Sequence, residues 1–133
     1  MRAGFLRIWL LFCDNLFCPL AGLRVPGDGL LHLGCFHGDV APRSGYGPIA
    51  PEEIAQSGLH YLALGHIHQY SGLQRAGGTF WAYPGCPEGR GFDEAGEKGA
   101  LYLEAAPGQV AARFVPLGRR RYEVLSVDLT GAE

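Results

Sequence analysis

Glycine constrains this chain more than any other feature. It accounts for 21 of the 133 residues, and 9 prolines add further breaks. Ordinary proteins carry roughly 7% glycine, and each glycine inside a helix costs about 1 kcal/mol relative to alanine. Such a chain is poor material for a helical bundle or coiled coil. Short strands, tight turns and functional loops are expected instead. The length suits one compact domain and not comfortably two. Hydrophobic residues make up 47% and charged residues 18%, the profile of a globular chain rather than a disordered one. With 11 basic against 13 acidic residues, no global positive field attracts nucleic acid. A phosphate-bearing substrate would need a local site, for instance one built on metal ions.

The four cysteines, Cys13, Cys18, Cys35 and Cys86, form no CxxC pair. A zinc ribbon or thioredoxin-like motif is absent, and an apolar content this high can bury a core without disulfides. Reduced thiols in a cytoplasm are the expectation. Residues 1–28 read differently from the rest and are taken as an atypical N-terminal segment with a truncated or non-native start. Residues 5–13 form an apolar run broken by Arg7 and closed by Asp14-Asn15, far shorter than the ~20 residues that span a membrane. Arg2 and Arg7 precede it, but the block 8–13 is only six residues long and no A-x-A-like site follows. Secretion is therefore not expected.

From residue 29 the chain is orderly. Residues 30–36 (LLHLGCF) suit a buried strand. Residues 51–58 (PEEIAQSG) suit a short helix, with Pro51 at its first position, Glu52 and Glu53 at the positive end of the dipole, and Gly58 as the cap. Strands are expected at 61–64, 79–83, 100–105 and 110–117, the last two joined by a hairpin at 106–109. The alternation in 121–129 (RYEVLSVDL) reads as one more. An α/β layer passing into an antiparallel meander follows.

The chemistry concentrates in five histidines. His32 and His60 lie in or beside strands, where packing is the simpler explanation. His37 (in CFHGD), His66 and His68 (in GHIH) follow strands. In an extended segment, side chains two apart point the same way, and their alpha carbons lie about 6–7 Å apart. His66 and His68 would then share one site, with Ile67 facing the core. Both could bind one metal ion, or each one ion of a pair about 3.5–4 Å apart. Cys35 and Asp39 are further candidate ligands, although a small buried thiol is the simpler role for Cys35.

The string Gly65-His66-Ile67-His68 after an apolar strand, with His37-Gly38 upstream, resembles the last two metal motifs of calcineurin-like metallophosphoesterases. The stretch YPGCPEGRGFDE at 83–94, followed by Gly96-Glu97-Lys98-Gly99, is similar to the bacterial DNA-repair exonuclease branch, the SbcD-like nucleases. The resemblance covers residues 29–131. It implies a partial four-layer αββα sandwich, mostly its second, β-rich half, as the C-terminal part of the catalytic domain. It implies two divalent ions, manganese first, with iron, zinc or magnesium as alternatives. His37 and His66 would ligand one ion and His68 the other. DNA or another phosphoester would be the substrate, with a coiled-coil ATPase of the repair type as partner, and no membrane role.

The family's earlier motifs, D-x-H, GDxxD and GN-H, are not found in these 133 residues. Those motifs supply the bridging carboxylate and further ligands. The chain alone is therefore expected to be catalytically weak, or to act as a binding module that needs a second chain. A phosphomonoesterase of the same fold is the other enzymatic alternative. Exposed strand faces would favour association, a homodimer included. Arg90 offers a forked donor to a substrate phosphate, set against a plain pairing with Asp93 or Glu94. Arg119-Arg120-Arg121 reads as a solvated turn more readily than as a nucleic-acid contact, and Phe80 and Trp81 as core. No spacing in the sequence brings Glu88, Asp93, Glu94 or Glu97 to the histidines.

Overall fold

A computed structural model describes residues 6–11, 20–41 and 43–131. Arg2, Cys13, Asp14, Asn15 and Cys18 lie outside the described residues. The elements run β1 (Leu6–Leu11), β2 (Leu31–His37), α1 (Pro51–Ser57), β3 (Tyr61–Gly65), β4 (Gln74–Ala76), β5 (Thr79–Ala82), β6 (Gly99–Ala106) and β7 (Gln109–Pro116). Five strands form one sheet in the order β1-β2-β3-β5-β4, and β6 and β7 pair separately. β1, β2, β3 and β5 are parallel neighbours, while β4 is antiparallel to β5. No helix among the described residues is long and apolar enough to cross a membrane.

The sheet buries both faces of its centre, which explains the near-continuous apolar runs. On one face Phe36, Leu62 and Leu64 join Ile54 of α1 and Leu20, Ile49 and Leu59. On the other face Leu33, Tyr61 and Ala82 meet Leu101, Leu103 and Val110 of the hairpin. Three layers result: helix, five-stranded sheet and hairpin. The mixed α/β architecture, with a parallel sheet and little helix, is consistent with the second half of a metallophosphoesterase sandwich.

The helix forms as its termini dictate. Glu53 accepts the Ala50 N–H at 2.8 Å, Ser57 donates back to the Ile54 carbonyl, and Gly58 ends the helix at φ 76°. β4 was not anticipated. It is three residues long with no alternation, and its one signal is the Gly77-Gly78 turn before β5.

The expected strand over 121–129 does not form. No ladder pairs it among the described residues, and Val124, Leu125, Val127 and Leu129 are 72–86% exposed. Alternation marks a chain able to form a strand, but a strand also needs a free edge to bond. Residue 122 is tied instead to the preceding loop: Gly96 N–H donates to the Tyr122 carbonyl at 2.8 Å, and Phe92 meets the Tyr122 ring edge-on.

Candidate metal centre

Adjacent parallel strands β2, β3 and β5 deliver their C-terminal ends to one edge of the sheet, the position where open α/β sheets bind ligands. His37 ends β2 and is paired in register with Gly65, which ends β3. A Cβ on residue 65 would lie 2.9 Å from His37 Nδ1. Glycine is thus needed there to let the imidazole lie across the neighbouring strand. The His37 and His66 rings meet at 5.4 Å in a T-shaped arrangement, and Tyr46 stacks on the other side of His66, also at 5.4 Å.

His66 has φ 106° and is the one residue other than glycine with positive φ among those described. Such backbone costs about 1–3 kcal/mol and persists only where surrounding structure enforces it, characteristically at functional sites. This bend overturns the expected extended GHIH geometry. Ile67 is 37% exposed rather than core, and His66 and His68 take different partners. His66 joins His37 and Tyr46, whereas His68 Nδ1 bonds Glu94 Oε1 at 2.6 Å.

Tyr83, just after β5, fixes the loop that follows His37. Its hydroxyl accepts the Val40 N–H at 2.8 Å and donates to the Gly38 carbonyl at 3.0 Å. Burial pushes its phenol up. Tyr83→Phe strands both backbone groups and is expected to cost about 1–3 kcal/mol, read as a lower denaturant midpoint at unchanged slope. A loss under about 0.5 kcal/mol would show that water replaces the hydroxyl.

Sequence reasoning missed the surroundings of His68. Glu94, Cys86 and His68 bring a carboxylate oxygen, a sulfur and a ring nitrogen within 4.8 Å of one another. Glu94 Oε2 accepts the Arg90 N–H at 2.7 Å. That bond, then the one with His68, holds its carboxyl well below the usual range, at about 2. Lys98, 5% exposed, donates from Nζ to the His68 carbonyl at 2.8 Å and to Gln69 Oε1 at 3.0 Å. Glu94 lies 26 residues from His68, so no short-range pattern could pair them.

Other candidates fall as follows. His32 is 1% exposed, bonded through Nε2 to Asp28 at 2.8 Å and stacked on His60, so both are structural as expected. The buried-thiol expectation for Cys35 is corrected, because that residue is exposed. Alternation places it on the face of Leu33 and His37, and the hairpin cluster reaches Leu33 without including Cys35. The Arg90 guanidinium lies 3.6 Å from Glu94 with 76% of its side chain exposed. Arg120 pairs with Glu88, and Arg121 with Glu97 and Glu123. Phe80 and Trp81 pack against the two cores.

Imidazoles suit divalent first-row ions, so His37 and His66 at the strand ends, with His68 following, fit a metal-dependent hydrolase. No protein-family model matches the chain. Over 116 residues, 85% of its length, the chain is 31% identical to the uncharacterized metallophosphoesterase YhaO of Bacillus subtilis (strain 168), of which it spans 28%. This likeness supports the calcineurin-like metallophosphoesterase family.

Proposed function

We propose that the chain carries part of the metal centre of a phosphodiesterase, an exonuclease acting on DNA. The observation that carries this reading is the convergence of His37 and His66 at the ends of neighbouring parallel strands, with His68 two residues on, in a chain similar to a metallophosphoesterase. His37 and His66 would hold one divalent ion and His68 a second, manganese being favoured over iron, zinc or magnesium. When bound, such a pair supplies a hydroxide nucleophile and neutralises phosphate oxygens during in-line displacement.

The chain's own residues hold and orient. The bend at His66 aims its ring at His37, the Tyr83 hydroxyl fixes the loop after His37, and the exposed Arg90 guanidinium offers donors to a phosphate. The branch resemblance further suggests a coiled-coil ATPase partner and a cytoplasmic location. The exposed Leu6 and Ile8 are in keeping with self-association, a homodimer included.

Three imidazoles without a bridging carboxylate hold a metal pair weakly. The purified 133-residue chain is therefore expected to bind manganese but to hydrolyse bis(p-nitrophenyl) phosphate and linear duplex DNA poorly. Calorimetry and a metal-replete assay check this. No manganese binding above that of a His37→Ala, His66→Ala double variant would sink the metal reading. Preference for a phosphomonoester over DNA would favour the alternative phosphomonoesterase activity.

A further inference from the structure

The connection 83–98 joins β5 to β6 and carries the two residues that grip His68. Glu94 engages the imidazole through Oε1 at 2.6 Å. Its other oxygen accepts the Arg90 N–H at 2.7 Å and lies 3.9 Å from Cys86 Sγ. Both oxygens are thus committed, and the Glu94 side chain is 10% exposed while that of His68 is 48% exposed. Lys98, nearly buried, holds the carbonyl of the same histidine at 2.8 Å. One loop therefore fixes both the ring and the backbone of His68.

Two readings of this cluster compete, and distance separates them. Two ligands of one zinc ion, each bonded at about 2.0–2.2 Å in a tetrahedral arrangement, stand roughly 3.3 Å apart. The 2.6 Å between Nδ1 and Oε1 is shorter than that spacing and is the distance of a hydrogen bond, at the short end for a charge-assisted pair. An ionised carboxylate only accepts, so the ring nitrogen donates. The lone pair of a neutral ring then lies on Nε2, the nitrogen away from Glu94. Metal-binding histidines are oriented by this kind of outer partner.

We propose that Glu94 and Lys98 are positioning residues for His68: Glu94 takes the Nδ1 proton and Lys98 pins the carbonyl, so that Nε2 is presented outward as the lone-pair donor. What Nε2 then binds rests on the metal-centre reading above; the tautomer does not. The β5–β6 connection is in these terms a clamp on a histidine.

The test is nitrogen-15 NMR of the histidine rings in the full 133-residue chain, in mildly alkaline solution, alongside manganese titration. Wild-type His68 is expected in the Nδ1–H form. Glu94→Ala is expected to return it to the Nε2–H form that free imidazole prefers, with manganese affinity lowered by about 10–100-fold. Glu94→Gln keeps an acceptor oxygen and should retain the Nδ1–H form with an intermediate affinity. Lys98→Met should weaken manganese binding without changing the tautomer. An Nε2–H ring in the wild-type chain overturns the proposal whatever the variants do, as does an unchanged tautomer in Glu94→Ala. Expected tautomers without manganese binding would support the clamp while removing the metal-centre reading. A cobalt complex with a thiolate charge-transfer band, lost in Cys86→Ser but not in Cys35→Ser, would overturn the clamp in favour of a metal held inside the cluster.

Discussion

His66→Gly is expected to collapse manganese binding while leaving the fold in place. The imidazole is one of the two rings that meet at the ends of β2 and β3, and its removal takes away a ligand outright. The loss should exceed the about 10–100-fold typical of losing only an outer-shell partner. Stability follows a different balance. Glycine relieves the strain at φ 106°, about 1–3 kcal/mol. Against this stand the greater freedom of glycine in the unfolded chain, about 0.5–1 kcal/mol, and the lost ring contacts with His37 and Tyr46, about 0.5–1.5 kcal/mol each. These contributions nearly cancel, so unfolding free energy should change by no more than about 1 kcal/mol. Titration calorimetry and chemical denaturation separate the two effects. Retained manganese affinity would show that His66 is not a ligand. A loss of several kcal/mol would show that the ring's packing outweighs the backbone strain.

Leu62→Ala is the substitution expected to damage the fold most. Leu62 is fully buried in β3, the central strand of the sheet, with Gly34 of β2 on one side and Trp81 of β5 on the other. Truncation removes its burial and leaves a cavity, together costing about 2–5 kcal/mol. Domains are stable by only about 5–15 kcal/mol in total, so a large part of the population would unfold on mild heating. The denaturant midpoint should fall with its slope unchanged. Cys35→Ser on the neighbouring strand is the control: its side chain is exposed, and surface changes of this kind stay within about 0.5 kcal/mol. A cost below 1 kcal/mol at Leu62 would mean that the core around β3 is loosely packed.

Local rules made much of the fold legible. Pro51, the acidic first turn and Gly58 bound the helix because the unsatisfied groups at helix ends demand such residues wherever they occur. The apolar run in β3 identified a buried strand because a parallel strand covered on both faces leaves no position for alternation, whereas β2 is buried on one face and partly open on the other. His32 and His60 read as packing residues, and His37, His66 and His68 stood out by their place after strands. The failures have a common cause. The segment 121–129 has the alternation of a strand, but whether an edge is free to pair with it is not a local property. Cys35 sits in an apolar run, yet its exposure depends on how far a hairpin more than 60 residues later reaches over the sheet.

By itself, the sequence determined the element types, the helix boundaries and the histidines worth attention, since propensity, capping and periodicity act over a few residues. The tertiary structure alone decided how those histidines are used. His66 bends at a positive φ and meets the His37 ring, while His68 takes Glu94 as its partner. Sheet order sets Gly65 beneath the His37 ring, and the loop after β5 carries Glu94 and Lys98 back across 26 and 30 residues to hold His68. These contacts close through space between segments far apart in the chain, and no spacing rule encodes them.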